Sequence, residues 1–395
     1  MAEKNNKEYL LNLNKVNKTS LVSKKSVILI VVDALRADHM GIYGYSRNTT
    51  PFLTKLSKEN KLNKINIAFS ASSSSFAGIL SILNAKEWNS IRLNNLSVID
   101  IMKNLGYSTN LILSGDFKNF YNLKLFLGNN ISYFYDGTYS KKHPINSDKA
   151  IFEGLENIPK NTDQPAFMYF HLMSVHSGGT VFKEFHKYTP FKSHPFNSKK
   201  ERAKKYVNNY DNGILQADSF INKIFSQLEQ KGYLKNSIVI ITSDHGEFLG
   251  KNNTYGHTQY IYNDVIQIPL IFFGIKNSIP HNLPYATQAD IMPTVLDYLA
   301  LPIPKSWEGK SLLEAVTKKE SYHEEIDNYY SVIEHKNNHF LKYIYDKKKG
   351  EEEIYDLNKD LKETNNLIKY YDREILKNLR NKAQLKFNLI IKEVE

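Results

Sequence analysis

Cysteine is absent from the 395 residues of this chain. The absence excludes disulfide bonds, thiolate metal ligands and a cysteine nucleophile. A long apolar segment is also lacking, because residues 1–25 are polar and the first apolar run, residues 27–32, is far too short to cross a bilayer core of about 30 Å. We therefore expect a soluble, cytoplasmic chain without a transmembrane segment, and peripheral contact with a membrane surface is left open.

Basic residues outnumber acidic ones without forming a nucleic-acid-binding pattern. The chain has 52 Lys and Arg against 41 Asp and Glu, which gives a formal net charge of +11. Many of the lysines are scattered among asparagines, and zinc-finger, helix-turn-helix and RNA-recognition motifs are absent. We expect no nucleic-acid partner. A positive surface favours an anionic substrate or an anionic membrane face.

Apolar runs of strand length alternate with segments of helical period up to about residue 300. Such runs are typical of strands that are buried on both faces of a sheet. The predicted strands are residues 26–32, 107–113, 166–172, 238–241 and 268–273, and the predicted helices include 51–60, 76–83, 206–231 and 290–299. The alternation predicts an α/β fold with a central, mostly parallel mixed sheet and helices on both faces.

The sequence pattern changes near residue 320. Residues 339–346 and 353–357 alternate like an antiparallel pair, and a charged helical segment follows over roughly 366–394. We predict three parts in chain order: a polar, loose N-terminal arm at 1–25, a main α/β domain at 26–318, and a small α+β subdomain at 319–395 with antiparallel strands and a terminal helix.

Acidic and histidine side chains follow two of the predicted strands. Asp33 comes directly after the first strand, and Asp244 and His245 lie in the turn after the strand at 238–241. The carboxyl ends of neighbouring parallel strands meet at one edge of a sheet, so these side chains are expected to converge. Asp and His ligands without Cys favour Zn²⁺, with Mn²⁺ or Ca²⁺ as alternatives. A helix-capping Asp244 beside a turn histidine is the other interpretation.

A run of serines, Ser70 and Ser72 to Ser75, precedes the predicted helix at 76–83. A helix N-terminus offers free N–H groups and the positive end of the helix dipole, which favour an anionic ester. A serine hydroxyl beside a divalent cation becomes a stronger nucleophile. Alone, the run is equally compatible with a capping and turn-forming segment.

Several motifs in order resemble the sulfatase/alkaline-phosphatase superfamily over roughly residues 26–370. The segment 32–39, which carries Asp33, is similar to its first metal-ligand motif, and Ser243-Asp244-His245-Gly246-Glu247 is similar to its second. Residues 290–294, 309–312 and 353–357 resemble its later motifs. The resemblance implies a metal-dependent enzyme whose catalytic domain covers residues 26–318.

Within that superfamily the chain looks most like the catalytic domain of phosphoethanolamine transferases. Three segments carry this likeness: the Tyr-Asp-Asn stretch at 210–212, the His-containing loop at 173–176 and the Tyr-Gly-His stretch at 255–257. The resemblance implies one Zn²⁺ held by Asp33, Ser72, Asp244 and His245. It further implies that Ser72 is the nucleophile, and that His176 and His257 act in catalysis and contact the transferred phosphoryl group or the leaving oxygen.

The family likeness leaves the choice of serine to spacing. Ser72 keeps the family's offsets to the following helix, and Ser70 and Ser73 are its rivals. The first ligand is Asp33 where the transferases carry Glu, and the nucleophile is Ser where they usually carry Thr.

The function implied by the resemblance is transfer of a phosphoethanolamine-like phosphoryl group. The expected partners are an anionic phosphate-ester donor and a glycan or glycolipid acceptor, and the expected intermediate is a covalent phosphoserine. The alternative is a soluble hydrolase of phosphodiesters, phosphomonoesters or sulfate esters. A formylglycine sulfatase is disfavoured, because Ser72 is followed by serines and Phe76, without the Pro or Ala and the Arg of that maturation motif.

Overall fold

The computed structural model describes residues 2–19, 25–161, 163–192, 198–275, 279–280, 283–314, 319–325, 328–336 and 339–391. The α-helices in these residues are α1 (Ala2–Thr19), α2 (Pro51–Lys58), α3 (Ser75–Asn84), α4 (Val98–Asn104), α5 (Leu123–Leu127), α6 (Lys149–Glu156), α7 (Lys199–Gln230), α8 (Asn263–Ile266), α9 (Ile291–Tyr298) and α10 (Arg373–Phe387). The strands are β1 (Ser26–Val32), β2 (Leu62–Lys64), β3 (Ala68–Phe69), β4 (Ser108–Leu113), β5 (Tyr133–Tyr135), β6 (Ala166–Leu172), β7 (Ser237–Thr242), β8 (Phe248–Leu249), β9 (Tyr255–Gly256), β10 (Gln267–Ile268), β11 (Leu270–Phe273), β12 (Ala286–Thr287), β13 (Lys319–Glu325), β14 (Tyr329–Lys336), β15 (His339–Asp346) and β16 (Glu351–Asp356).

A seven-stranded sheet forms the centre of the molecule, in the order β2-β11-β7-β1-β6-β4-β5. The strands from β7 to β5 run parallel, and at the other edge β11 pairs antiparallel with β7 and β2 pairs antiparallel with β11. Val31 of β1 pairs with both His171 of β6 and Thr242 of β7. The three strands therefore end at the same edge. The predicted α/β class with a mostly parallel mixed sheet is confirmed.

Alternate residues of β1 enter different hydrophobic cores. Leu29 and Val31 lie in a core with side chains of α3, α4 and α9, whereas Ile28 and Ile30 lie in a core with side chains of α2, α6 and α7. A strand covered on both faces has no solvent-facing position, which explains the unbroken apolar run of its sequence.

The C-terminal strands form a four-stranded antiparallel sheet in the order β13-β14-β15-β16. One face packs with Leu379 and Ala383 of α10, and the other face packs with Val265 and neighbouring side chains of the main domain. The sheet has two strands more than the predicted pair, and α10 is shorter than the predicted helix. The predicted domain boundary at residue 318 falls in the segment 315–318, which lies outside the described residues. The boundary therefore stays a prediction.

The N-terminal segment contains helix α1 in place of the expected loose arm. Leu13 is fully buried, and the Tyr9 hydroxyl donates to the carbonyl of Pro302 at 2.7 Å. These contacts dock the helix on the main domain. The polar, Lys- and Asn-rich composition of the segment gives no indication of this packing. Across the part of the chain that the structure describes, no helix combines the length and the apolar character needed to cross a membrane.

Candidate active site

Three side chains meet at the carboxyl edge of the central sheet. Asp33 follows β1, and Asp244 and His245 follow β7, with one ligand-type atom from each within 4.8 Å of the others. His245 Nε2 lies 3.6 Å from Asp33 Oδ1 and 3.7 Å from Asp244 Oδ2. All three residues are buried. The structure thus brings together three of the four residues that the sequence assigned to a metal.

The donor set at this edge fits a divalent cation. Asp33 Oδ1 and Asp244 Oδ2 are buried and accept no hydrogen bond from the described residues. Two unsatisfied carboxylate oxygens facing one point, with an imidazole nitrogen beside them, would be strongly unfavourable without a positive charge between them. The cluster can therefore hold a metal ion of the kind that oxygen and imidazole ligands bind.

The ring orientation of His245 supports metal binding. His245 Nδ1 lies 2.7 Å from the carbonyl oxygen of Gly246, so this nitrogen carries the proton and donates it. The lone pair is then on Nε2, which faces the two carboxylates. A fixed hydrogen bond on one ring nitrogen is how proteins set the tautomer of a ligating histidine. The backbone of Gly246 therefore sets the orientation of this ring.

Ser75 is the serine that faces the cluster. Its Oγ lies 3.0 Å from His245 Nε2 and 3.4 Å from Asp33 Oδ2. Ser75 is the first residue of α3, so it lies at the helix end that has free N–H groups and the positive end of the helix dipole. The hydroxyl therefore lies between the three candidate metal ligands and the positive end of the helix dipole.

The structure corrects the expected placement of Ser72. Its Oγ donates to Glu325 Oε2 at 2.7 Å, and Ser73, one of its predicted rivals, donates to the same oxygen at 2.6 Å. Glu325 ends β13, a strand of the C-terminal sheet that the sequence did not predict. The offset argument failed because the serine run turns before α3, and the turn directs the hydroxyls of Ser72 and Ser73 to that carboxylate.

Gly78 allows α3 to pass directly over the cluster of Asp33, Asp244 and His245, which we call the metal-type cluster. A Cβ atom at this position would lie 2.1 Å from the backbone oxygen of Asp244, closer than any packing permits. The first turn of α3 and the loop after β7 can therefore approach only with glycine there. This contact places Ser75 beside His245.

His171 of β6 is a site residue that the sequence did not reveal. Its Nε2 lies 3.2 Å from Asp33 Oδ2, and its Nδ1 lies 2.7 Å from the hydroxyl of Tyr169. Burial raises the pKa of Tyr169 well above its ordinary value, so the phenol keeps its proton and can donate it to Nδ1. His171 then donates from Nε2 to Asp33. The signal available in the sequence was a histidine at the end of a buried strand in line with Asp33.

Asp33 is held in its ionised form by its neighbours. Burial alone would raise the pKa of this carboxyl group, but the neighbouring imidazoles of His176, His171 and His245, including the hydrogen bond from His171, together hold its pKa well below the ordinary value. An ionised carboxylate is the form that binds a metal ion.

His176 and His257 lie above the cluster, at its solvent side. The ring centroid of His257 is 4.2 Å from that of His245 and 5.2 Å from that of His176. Glu247, fully buried, accepts from His257 Nδ1 at 3.3 Å. Burial would lower the pKa of His257, but this hydrogen bond and the charge of Glu247 outweigh it and raise the pKa above the ordinary value.

A buried carboxylate anchors the loop that carries His176. Asp148 accepts from the backbone N–H of Met173 at 2.6 Å and of Ser174 at 2.9 Å, and also from the hydroxyl groups of Ser114 and Ser174. Within the loop, the N–H of Gly178 donates to His176 Nδ1 at 3.1 Å. The Nε2 atom of His176 is therefore the nitrogen left for a ligand.

Comparison with known proteins identifies the family. The family model "Sulfatase" matches residues 25–301. The chain belongs to the sulfatase family. The predicted membership in this superfamily of enzymes is confirmed.

Similar proteins include both sulfatases and phosphoethanolamine transferases. An arylsulfatase of Clostridium perfringens is 30% identical over 169 residues, which cover 40% of this chain and 35% of that protein. The Kdo(2)-lipid A phosphoethanolamine 7''-transferase of Escherichia coli is 27% identical over 240 residues, which cover 57% of this chain and 39% of that protein. The chain thus spans between about a third and two fifths of the length of these curated relatives.

The fold is shared with solved structures of the same group. The C-terminal periplasmic domain of EcEptC from Escherichia coli, solved in complex with Zn, matches with a TM-score of 0.61 at 18% identity. The match covers 74% of this chain and 88% of that domain. At this level of identity the likeness shows the fold alone.

Proposed function

We propose that this sulfatase-family protein is a metal-dependent phosphoryl-group transferase whose nucleophile is Ser75. The donor would be an anionic phosphate ester of the phosphoethanolamine type, and the acceptor a glycan or glycolipid. The observation that carries the proposal is the position of Ser75 Oγ, 3.0 Å from His245 Nε2 and 3.4 Å from Asp33 Oδ2 at the N-terminus of α3. The cytoplasmic location expected from the sequence stays a prediction.

The proposed metal ligands are Asp33, Asp244, His245 and Ser75. Zn²⁺ is the preferred ion, because two carboxylates, one imidazole and one hydroxyl form a small N/O ligand set, and Mn²⁺ and Ca²⁺ are the alternatives. A divalent cation bound there would lower the pKa of the serine hydroxyl and balance the negative charge of the phosphoryl oxygens.

The chain's own residues account for the two half-reactions. In the first, Ser75 Oγ, which has already lost its proton, forms a bond to phosphorus while the bond from phosphorus to the leaving oxygen breaks. His257, whose ring is fixed by Glu247, is placed to give that oxygen a proton from Nε2, and His176 Nε2 is placed to donate to a phosphoryl oxygen. In the second, an acceptor hydroxyl attacks phosphorus, its proton passes to His257, and the bond from phosphorus to Ser75 breaks, which returns Ser75 Oγ to its deprotonated form and His257 to its protonated form.

A hydrolase is the second candidate, since water could replace the acceptor hydroxyl in the second step. The partial exposure of His176 and His257 supports access for water or for a glycan hydroxyl. Sulfate-ester hydrolysis through formylglycine is disfavoured for Ser75 as it was for Ser72. The residues after Ser75 are Phe76, Ala77, Gly78 and Ile79, so the Arg of the maturation motif is again missing.

The proposal is tested with paired serine variants. Purified Ser75→Ala and Ser72→Ala are assayed with bis(p-nitrophenyl) phosphate, p-nitrophenyl phosphate and p-nitrophenyl sulfate, with Zn²⁺, and with and without a glycan acceptor. Ser75→Ala should lose about 1,000-fold or more in kcat, because it removes the atom that attacks phosphorus. Ser72→Ala should stay within about tenfold of the wild type, since Ser72 touches no reacting group.

The same assay separates the two candidates. A burst of p-nitrophenol that continues only after the acceptor is added identifies a transferase, and steady turnover without acceptor identifies a hydrolase. Unchanged turnover in Ser75→Ala would refute the proposed nucleophile in either case.

A further inference from the structure

We propose that Glu325 of the C-terminal sheet determines which serine becomes the nucleophile. The proposal rests on the proposed function, in that it takes Ser75 as the attacking residue. Glu325 would hold the hydroxyls of Ser72 and Ser73 away from the metal-type cluster and so leave Ser75 as the hydroxyl that faces it. Glu325 is then a positioning residue, because it does not touch the reacting atoms.

Glu325 makes three hydrogen bonds to the serine run through a single oxygen. Its Oε2 accepts from Ser72 Oγ at 2.7 Å, from Ser73 Oγ at 2.6 Å and from the N–H of Ser73 at 3.2 Å. The residue is 1% exposed, and its Oε1 accepts no hydrogen bond from the residues that the structure describes. A buried carboxylate needs such donors, because its desolvation costs several kcal/mol.

The hydroxyl protons explain how the contact with Glu325 selects Ser75 among the serines. A serine hydroxyl has one proton to donate, and Ser72 and Ser73 both donate theirs to Glu325. Ser70 donates its proton to the carbonyl of Ser72 at 2.7 Å. Among the hydroxyls of the run with a described hydrogen bond, Ser75 alone faces Asp33 and His245.

A second residue of β13 holds the beginning of the same turn. His323 Nδ1 donates to the carbonyl of Ser70 at 2.8 Å, and the ring is fully within the protein. Burial and the charge of Lys342 lower the pKa of His323 to about 3, so the ring is neutral and keeps a single proton for this bond. Two side chains of one C-terminal strand therefore fix both ends of the segment from Ser70 to Ser73.

Gln288 connects the turn with the metal-type cluster from the other side. Its Oε1 accepts from the N–H of Ala71 at 2.8 Å, while its Nε2 donates to the carbonyls of Ser243 at 2.9 Å and Asp244 at 2.7 Å. The serine turn is thus held between the C-terminal sheet and the loop after β7. A change in Glu325 should shift the turn relative to Asp244 and not merely loosen it.

The test uses full-length wild type, Glu325→Ala, Glu325→Gln and a matched control, Glu352→Gln. Glu352 lies in the same sheet and pairs with Arg380 at 2.7 Å, away from the serine run. Each protein is mixed with bis(p-nitrophenyl) phosphate and Zn²⁺ and quenched in acid, and the modified serine is mapped by peptide mass spectrometry. Backbone amide exchange of residues 70–76 is measured without substrate or metal.

In the wild type and in Glu352→Gln we expect modification at Ser75. In Glu325→Ala we expect kcat to fall about 10- to 100-fold with KM within about threefold, since a displaced nucleophile slows the chemical step. We also expect modification at Ser72 or Ser73 and faster amide exchange in the turn. Glu325→Gln keeps one acceptor oxygen in place, so it should recover part of the loss.

Modification of Ser75 at the wild-type rate in Glu325→Ala, with unchanged exchange, would overturn the inference and leave the proposed function standing. If Glu325→Ala does not fold, two other variants provide the test, Glu325→Gln and the double variant Ser72→Ala/Ser73→Ala. Modification of Ser75 at the wild-type rate in both, with unchanged amide exchange, would overturn the inference. Failure of the wild type to form any modified serine would instead count against the proposed function, and the inference would fall with it.

Discussion

At the residue scale, the candidate site depends on which nitrogen each histidine presents. His245 has its Nδ1 bound to a backbone carbonyl, and His257 has its Nδ1 bound to Glu247. His176 accepts a backbone N–H at the same atom. In each ring one nitrogen has a fixed partner, so the other is directed to the cluster or to the space above it. Pre-organisation of this kind reduces the reorganisation needed during reaction.

Two of these contacts can be separated by variants. His245→Ala should lose most of the bound Zn²⁺, because it removes a proposed ligand. Glu247→Ala should keep the metal and lose about 10- to 100-fold in kcat, since Glu247 touches His257 and not the ligand atoms. Elemental analysis and steady-state kinetics on the same samples provide the check. Loss of Zn²⁺ in Glu247→Ala would show that the two roles are not separate.

The sequence located the site but not its individual hydrogen bonds. Asp33, Asp244 and His245 could be placed at one sheet edge because each follows a buried strand. The position of Ser75 beside this cluster, with Ser72 turned away from it, could not be foreseen, because Ser72 donates to Glu325, which is 253 positions away in the sequence. The role of His171 was missed for a related reason, since its partner Asp33 is near only through the pairing of β1 with β6.

At the scale of elements, α7 supports α2 through a buried carboxylate. Asp218 of α7 accepts from the N–H groups of Phe52 at 2.8 Å and Leu53 at 3.0 Å, in the first turn of α2. Thr50, at the N-cap position, makes no side-chain capping bond. Asp218 therefore satisfies N–H groups that a local cap would normally take.

This arrangement predicts a pH-dependent stability. Burial, only partly offset by the two N–H donors, raises the pKa of Asp218 to about 7. The folded protein keeps a proton on Asp218 that the unfolded chain releases near pH 4. The contribution of this proton to the free energy of unfolding is therefore complete below pH 4 and is lost as the pH rises through 7. Asp218→Asn does not titrate, and relative to wild type it should gain roughly 2–3 kcal/mol of unfolding free energy between pH 5 and pH 8.

Urea denaturation of both proteins at the two pH values measures that gain. Asp163→Asn, at an exposed position, is the control and should show no such change. A constant difference between wild type and Asp218→Asn across this range would contradict the assignment.

At the scale of the whole molecule, the main domain and the C-terminal sheet share one buried interface. Lys342 of β15 lies 2.6 Å from Glu363 Oε1 and donates to the carbonyl of Ile261 at 2.6 Å. Glu363 in turn accepts from the N–H of Asn263 at 2.5 Å. Both charged residues are nearly or fully buried, and the segment at 261–263 follows His257 closely. The two parts should therefore unfold together.

Breaking this pair should destabilise the entire protein. Lys342→Met leaves Glu363 buried without its cation and should cost about 3–5 kcal/mol, whereas Lys342→Met/Glu363→Gln should cost less than that. The tryptophans, Trp88 and Trp307, both lie in the main domain, so their fluorescence reports its unfolding. If the unfolding midpoint measured by tryptophan fluorescence is the same in Lys342→Met as in the wild type, the two parts unfold independently.

The sequence predicted the main domain better than the termini. Strands β1, β6 and β7 were recognised because burial on both faces leaves an uninterrupted apolar run. Strand β13 and helix α1 were missed because each is stabilised through a few contacts, such as Glu325 and Leu13, within a polar stretch. Tertiary contacts of this kind outweigh local composition and are not visible in it.

The central claim is that Asp33, Asp244, His245 and Ser75 surround a single divalent ion. A crystal structure of the Zn²⁺-loaded protein, with anomalous data collected on both sides of the zinc absorption edge, tests this claim most directly. We predict an anomalous peak within bonding distance of both carboxylates, His245 Nε2 and Ser75 Oγ, with Ser72 still bound to Glu325. A peak elsewhere, or a metal at this edge with Ser72 in place of Ser75, would contradict it.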